Sequence, residues 1–474
     1  MEAIKIILEK EKEEKLFDRK VNGIKYWEYV RPIVSGTLNS EFSKSTDTFA
    51  NVKTSYKKYF LNFKNIKKYF LPKKNVDILI VTQNRRIKTE EGYKNNYTDY
   101  YVDILKKKYN VLVIEEPSYS SLSILNVAHT FPIYTKNMYL TDLHELSFIL
   151  RKKMYYVFHH KKLNNILKEY NYLNEKFKAW LSLSSVDFKK YFVDSLIRLD
   201  IDKNYIKKIY KKTQPKMVMF YFMPSVFKIM MIKEANDQKI PTVEIQHGTT
   251  SKYDPIASKC LDVSKLECDL KYIFSFGDRQ VNKFAIAIKD KNNIIPVGFP
   301  YFEEKLKNIK KGEKKYILII SQSTIGNQLA IFTSKLAQLL KNTKYKIVFK
   351  YHPLEMEKEF DVLNMDNIIQ VKNEKTIYSI QQESILQIGV YSTSLYEGFA
   401  QKVPTLIVKN IFGADEAYSI FEGINKGVYF IQTPDDVLKF LTNDDILPVD
   451  KDIQSLWASN SQENILKAVN KILR

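Results

Sequence analysis

Short apolar runs, each closed by a polar residue or a glycine, alternate along this chain with stretches of helical period. Val76-Asp77-Ile78-Leu79-Ile80-Val81-Thr82 is the first: short, β-branched and polar at its end, it predicts a buried strand. A second strand is expected at 111–114, after a helix over 97–108. Residues 140–212 carry mostly helical period with many lysines and aromatics, which predicts a helical insertion. The chain returns to strand at Lys216-Met217-Val218-Met219-Phe220-Tyr221. A helix over 224–237 and a strand over 242–245 follow. Two more runs, 271–277 and 294–298, close on glycine.

A similar series begins at Lys315. Strands are expected at 316–321, 346–350, 368–371, 385–390, 405–408 and 428–431. Helices are expected at 327–341, 375–382, 393–401, 434–441 and 461–473. Strands alternating with helices in this way predict parallel sheets built of βαβ units. The expected organisation is an N-terminal helical region over 1–73 and a first α/β domain over 74–308, carrying the insertion. A second α/β domain over 309–460 and a terminal helix over 461–474 complete it. The charged stretch 304–315 is the expected boundary. The aromatic cluster Tyr26-Trp27-Glu28-Tyr29 within 23–31 reads as a helix packing its aromatic face on a core.

Composition adds a globular class and little else. The chain of 474 residues is 45% hydrophobic and 13% aromatic, enough for two or three cored domains. Its two cysteines, Cys260 and Cys268, have no metal-ligand spacing and suit a reducing compartment. No secretory signal opens the chain, and no apolar stretch of about 18 residues is present. A cytoplasmic protein is expected. The formal net charge is +21, which raises nucleic acid as a partner. Of the 75 basic residues, however, eight are arginine and 67 lysine. Arginine is the residue suited to base readout and bidentate phosphate contacts, and the lysine runs are scattered. Specific nucleic-acid binding is therefore not expected, whereas attraction to an anionic lipid surface is.

Candidate chemistry concentrates at strand ends, where open α/β sheets bind ligands. Gln246-His247-Gly248 ends one strand, and His247 there suits a general base or a phosphate or acceptor contact. The alternative is a turn histidine. His352-Pro353 follows strand 346–350, and the proline stiffens the turn. That places an imidazole to meet a phosphate oxygen, unless it is only a solvated loop histidine. Ser392-Thr393-Ser394 opens a helix, where free N–H groups, the helix dipole and the hydroxyls form an anion site. Ordinary N-capping explains the same residues. Glu397, a turn further on, suits ribose hydroxyls or simply the dipole. Ser323 and Thr324 lie in a turn that closes the first strand of the second series, suited to a phosphate or to turn chemistry alone. It is not a P-loop, because the Gly-Lys-Ser/Thr ending is absent. Glu90-Glu91-Gly92 follows the first strand, and Glu91 is a candidate base in what otherwise reads as a loop. His159-His160, His129 and His144 have no zinc spacing. No metal site and no cofactor are expected.

The ordered set Gln-His-Gly, His-Pro and Ser-Thr-Ser resembles that of bacterial surface-polysaccharide glycosyltransferases of the GT-B fold. It looks like that of capsule-synthesis proteins and of the CDP-glycerol glycerophosphotransferase group, and the His-Pro and Ser/Thr pair also looks like that of the sialyltransferase-like groups. The likeness runs over about residues 240–410. It implies two Rossmann-like parallel-sheet domains facing a crevice. It implies that His352, Ser392, Thr393 and Ser394 bind the donor's phosphate, that Glu397 holds its ribose, and that His247 faces the reaction centre. In the sialyltransferase-like groups an acidic pair before glycine supplies the base, and Glu90-Glu91-Gly92 matches it in letters. In the glycerophosphotransferase group an aromatic residue stands where this chain has Gln246. The resemblance thus implies a nucleotide-sugar or CMP- or CDP-linked donor and a polysaccharide or glycolipid acceptor, as in capsule or lipopolysaccharide synthesis. Three other readings stay open. A nucleotide-sugar epimerase needs no acceptor, a non-catalytic capsule-assembly subunit needs no phosphate site, and a nucleic-acid binder rests on charge alone.

Overall fold

Parallel strands covered on both faces must be apolar throughout, and the runs read above become such strands. In the computed structural model, residues 2–42, 70–71, 75–83, 87–89, 92–116, 138–177, 188–221, 225–249, 263–280, 288–309, 312–355, 358–372, 374–411, 420–422, 424, 426–442 and 456–474 are described. Their strands are β1 (Lys20–Val21), β2 (Ile24–Lys25), β3 (Ile78–Gln83), β4 (Ile87–Thr89), β5 (Gly92–Lys94), β6 (Val111–Glu116), β7 (Met138–Leu140), β8 (Met217–Tyr221), β9 (Thr242–Ile245), β10 (Tyr272–Ser275) and β11 (Ile294–Pro296) in the first half. The second half adds β12 (Tyr316–Ile320), β13 (Lys346–Lys350), β14 (Ile368–Val371), β15 (Ser384–Gly389), β16 (Thr405–Val408) and β17 (Val428–Ile431). The helices are α1 (Glu2–Glu13), α2 (Trp27–Phe42), α3 (Thr98–Leu105), α4 (Asp142–Phe158), α5 (His160–Lys176), α6 (Phe188–Thr213), α7 (Val226–Asp237) and α8 (Pro300–Asn308). They continue with α9 (Gly326–Leu339), α10 (Ile377–Gln382), α11 (Thr393–Ala400), α12 (Pro434–Thr442) and α13 (Ser461–Leu473).

Two parallel sheets result. The first has the order β11-β10-β9-β8-β3-β6-β7, the second β14-β13-β12-β15-β16-β17. Every pairing within them is parallel. This is the expected pair of Rossmann-like domains of GT-B type. Each sheet starts near its middle, runs one way, then returns to the other side of its first strand. The switch points therefore lie between β3 and β8 and between β12 and β15, and crevices at switch points are where such sheets bind ligands.

Burial explains the strands. Ile317, Leu318 and Ile319 of β12 and Ile78, Leu79, Ile80 and Val81 of β3 are fully buried. Each such side chain contributes roughly 1.5–3 kcal/mol of transfer free energy. One face of the first sheet carries α1, α2, the inserted α4–α6 and α7 in a single core. The other face carries Ile465, Ala468 and Val469 of α13, so the C-terminal helix packs on the N-terminal sheet. Trp457 precedes that crossing and stacks on Phe276 with ring centroids 4.7 Å apart.

Three local expectations are corrected. The stretch 23–31 is not one helix: Asn22 (φ 52°) and Gly23 (φ 83°) turn the β1–β2 hairpin, and α2 starts only at Trp27. Asn-Gly with both residues at positive φ is the favoured two-residue hairpin turn. Residues 87–89 and 92–94 are not plain loop, because β4 and β5 pair antiparallel with Thr89 opposite Gly92. Met138–Leu140 adds an edge strand beside β6, just where the helical insertion was expected to begin. Three residues are too few to show a period.

Candidate functional site

The second sheet brings three of the sequence motifs to neighbouring strand ends. His352 follows β13, Ser323 and Thr324 follow β12, and Ser392–Ser394 follow β15, in the sheet order β13-β12-β15. The last two loops meet at the switch point. The Tyr391 backbone N–H donates to Gln322 Oε1 at 3.1 Å, and the Thr324 and Tyr391 hydroxyls share a short hydrogen bond. Ser392 caps α11, with extended backbone (φ −71°, ψ 135°) and Oγ accepting from the Ser394 N–H at 3.3 Å. Ser392, Thr393 and Ser394 remain partly exposed, as does His352.

The two helix N-termini at this edge differ. At α9 the fully buried Glu355 carboxylate stands against Gly326 in the first turn, while its Oε2 accepts from the His352 backbone N–H at 2.9 Å. A carboxylate there offsets the positive end of the dipole. The same contact fixes the His-Pro turn. No carboxylate appears in the first turn of α11. That N-terminus keeps its positive field, which suits an anion.

What holds α11 in place is a set of amides that the sequence reading passed over. Gln387 on β15 and Gln381 on α10 are both fully buried. Gln387 Nε2 donates to the Leu395 carbonyl at 2.7 Å and to Thr405 Oγ1 at 2.8 Å. Gln381 Nε2 donates to the Ser394 carbonyl at 2.7 Å and to Gln387 Oε1 at 3.1 Å. Gln401 Nε2 donates to Gln381 Oε1 at 2.6 Å. Gly398 makes room for this network, since a Cβ there would lie 2.2 Å from Gln387 Oε1. The signal was available: a glutamine inside the apolar run of β15 is anomalous, because a buried amide must find partners.

Glu397 faces inward on the same helix. It is 6% exposed, and burial pushes its carboxyl up to about 8, against a hydrogen bond from Tyr378. Burial favours its protonated form. Its carboxyl thus offers an O–H as well as acceptor oxygens.

The first sheet supplies the facing wall. Gln246 is buried and brackets the turn: its Nε2 donates to the Gly248 carbonyl at 2.7 Å, and its Oε1 accepts from the Phe276 N–H at 2.6 Å. Gln246 is therefore a structural clamp, and the partly exposed ring of His247 projects from a fixed base. That ring meets Tyr221 edge-on at 6.2 Å. Tyr221 packs on Tyr97 at 5.0 Å, and Tyr97 stacks on Phe299 at 5.0 Å. The two halves touch at this point. The Thr249 N–H donates to Thr393 Oγ1 at 3.3 Å, and a Cβ on Gly248 would lie 3.1 Å from the same oxygen. The His-Gly turn of one sheet thus lies against the Ser-Thr-Ser helix of the other.

Deeper in the first half lies a charged network not singled out in the sequence. Lys228, in the first turn of α7, is 2% exposed and donates to the Tyr221 carbonyl at 2.9 Å. It faces Glu116 Oε2 at 3.5 Å, while Ser225 Oγ donates to Glu116 Oε1 at 2.7 Å. Burial lowers the Lys228 ammonium and raises the Glu116 carboxyl. Arg198 extends the network with a bidentate pair to Glu145 at 2.6 and 2.7 Å. Glu91, the other candidate base, lies outside the described residues. Among the described residues, no cluster of three or more His, Cys, Asp or Glu side chains could hold a metal ion.

No family model matches this chain, and no curated protein matches it. Solved structures match it over most of its length. The UDP-GlcNAc 2-epimerase of Methanocaldococcus jannaschii superposes with a TM-score of 0.49 at 12% identity, over 83% of this chain and 99% of that one. The wall teichoic acid polymerase TagF soaked with CDPG gives 0.43 at 14% identity, over 94% of this chain and 96% of that one. An S. aureus MnaA–UDP co-structure gives 0.46 at 15% identity, over 84% of this chain and 96% of that one. At these scores and identities none bears on the residues described above.

Proposed function

We propose that this protein transfers a sugar or a polyol phosphate from a nucleotide-activated donor, CMP- or CDP-linked, to a growing surface polysaccharide or glycolipid. The observation that carries this reading is the apposition of the His247–Thr249 turn with the N-terminus of α11, beside the His352 turn. A histidine turn of one half against a helix N-terminus of the other supports a base facing an anion site. The sequence resemblance to capsule and wall-polymer transferases supports the same class.

In this reading the donor's phosphate lies at the N-terminus of α11, within reach of the Ser392, Thr393 and Ser394 hydroxyls and the His352 imidazole. Ser323 and Thr324 contribute through their loop, since the helix behind them is already offset by Glu355. Glu397 bonds the ribose from beneath. His247, or Glu91, takes the proton from an acceptor hydroxyl. The acceptor oxygen forms its new bond at the activated carbon or phosphorus, and the bond to the nucleotide breaks with both electrons leaving on its phosphate. Charge growing there is met by the helix N-terminus and imidazole, both already in place. These groups need no metal, so chelation leaves turnover intact. The protein works at the cytoplasmic face of a membrane, where glycolipid acceptors are made.

The test is a thermal-shift series with CMP, CDP, UDP and GDP on the wild type and on His352→Ala, since a ligand that binds only the native state raises Tm by mass action. Stabilisation by a cytidine nucleotide that the variant loses is the expected result. A response to UDP alone, with interconversion of a UDP-sugar in the absence of acceptor, would replace the reading with an epimerase. No response to any nucleotide would end it.

A further inference from the structure

We propose that the exposed face of α4, with its corner into α5, docks on an anionic lipid bilayer. Eleven large hydrophobic side chains are exposed among the described residues, and six of them lie on this one helix. They are Leu143, Leu150, Met154, Tyr156, Val157 and Phe158, with Phe158 at 70% exposure the most open. Leu143, Leu150, Met154 and Val157 fall at i, i+7, i+11 and i+14, so they share one stripe. The opposite stripe is already occupied: His144, Phe148 and Tyr155 are buried in the first domain's core side. The helix is therefore apolar on two faces, and only one has a partner within the chain's described residues. Patches of this kind mark interaction sites.

Charge narrows the partner. Four acids of the insertion are matched within it: Asp194 with Lys152 at 2.8 Å, Asp200 with Lys162 at 2.6 Å, Asp202 with Arg198 at 3.2 Å, and Glu145 with Arg198 at 2.6 Å; Glu169 pairs with Arg19. Lys153 is exposed on α4 beside the stripe, Lys161 is exposed at the start of α5, and Lys189 and Lys190 precede exposed Tyr191. A second copy of a chain with net charge +21 would set lysine rim against lysine rim. Protein interfaces in general are poor in lysine. Aliphatic and aromatic side chains between lysines are instead the composition of a helix lying in a lipid headgroup layer. Phe158 and Val157 sit at the α4–α5 corner, where His159 stacks on Tyr155 at 4.6 Å, so the most exposed ring stands at a fixed tip.

The proposal is independent of the nucleotide site, because vesicle binding needs neither donor nor turnover. The experiment is co-sedimentation with phosphatidylcholine vesicles, with and without phosphatidylglycerol, for the wild type and for Leu150→Ser/Met154→Ser/Val157→Ser/Phe158→Ser. The wild type should bind the anionic vesicles, and the variant should bind at least about tenfold more weakly with its Tm unchanged. Phe158→Trp should show a blue-shifted emission component when vesicles are added, and Phe158→Ser alone serves if the fourfold variant is unstable. Equal binding by wild type and serine variants would overturn the proposal, leaving only diffuse attraction by +21 charge. So would failure of the wild type to bind, or self-association in solution that the serine variant abolishes.

Discussion

The carboxyl edges of the two sheets are braced in opposite ways. In the first half the brace is ionic: Lys228 and Glu116 face each other at 3.5 Å in a site with almost no solvent, and the Arg198–Glu145 pair of the insertion, at 2.6 Å, acts on Glu116 through its charges. In the second half it is neutral: Gln381, Gln387 and Gln401 hold α11 by amide hydrogen bonds alone. The edge proposed to take a phosphate gains from this. A carboxylate behind α11 would weaken the field at its N-terminus, as Glu355 does at α9, and amides fix position without adding charge. Charged bracing is tolerable in the first half, where the expected ligand is an acceptor hydroxyl and a base must be held.

If that division of labour is right, the largest loss follows removal of the phosphate contact. His352→Ala should lower kcat about 10²–10⁴-fold with little change in Tm, read from steady-state rates beside a melting curve. A rate near wild type would put the working edge elsewhere. Next comes Lys228→Met, which strands a buried carboxylate and should cost about 3–5 kcal/mol. Its sign with pH is fixed by Glu116, whose folded carboxyl is raised and would rise further without the ammonium. A raised folded value contributes stability below the unfolded value and loses it as pH rises. Unfolding curves should therefore show the deficit larger at pH 8 than at pH 5.

How legible these edges were differs with the physics. The parallel sheets were readable because strands buried on both faces must be continuous apolar runs, as in Tyr316–Ile320. His352 and Ser392 were readable because their places depend on strand and helix ends. The braces were not read, because Lys228 among 67 lysines carries no local mark of burial. The glutamine inside β15 did carry one. So did Asn22-Gly23, whose positive φ pair splits an apparent aromatic helix into a hairpin and a later helix start. Gln246 is the instructive case: it replaces an aromatic residue of the resembling group, yet it is bonded on both sides and clamps the turn that presents His247.

Glu397→Gln asks whether the neutral brace extends to the acid beside it. Burial raises that carboxyl from 4.5 to about 8. Folding therefore takes up a proton between those values, and wild-type stability falls as pH rises across that window. Glutamine keeps the shape and the acceptor for Tyr378 without the proton. Its advantage in unfolding free energy should be small near pH 4.5 and grow to a few kcal/mol by about pH 8. A constant difference across that range would mean Glu397 is ionised in the fold. Gln387→Leu should act in the opposite direction and more weakly, losing about 1–3 kcal/mol for the partners it strands, and the loss should be independent of pH. It should also weaken nucleotide binding several-fold, measured by titration, because α11 loses its anchor at Leu395.

The smallest effect lies where the two edges meet. Alanine at 248 would bring a methyl group to 3.1 Å from Thr393 Oγ1, a contact that a shift of a few tenths of an ångström relieves. The stability change should be below about 1 kcal/mol. If turnover needs the two halves as close as they stand here, Gly248→Ala should raise the acceptor KM several-fold while nucleotide-induced stabilisation stays unchanged. Thr393→Ala removes the opposing oxygen, so the alanine at 248 should cost less in that background. A double-mutant cycle on KM reads the coupling directly. Additive effects would show that the 3.3 Å contact between Thr249 and Thr393 is a passive touch of two domains. A coupling of the predicted sign would tie the ionic and the neutral edge into one working site.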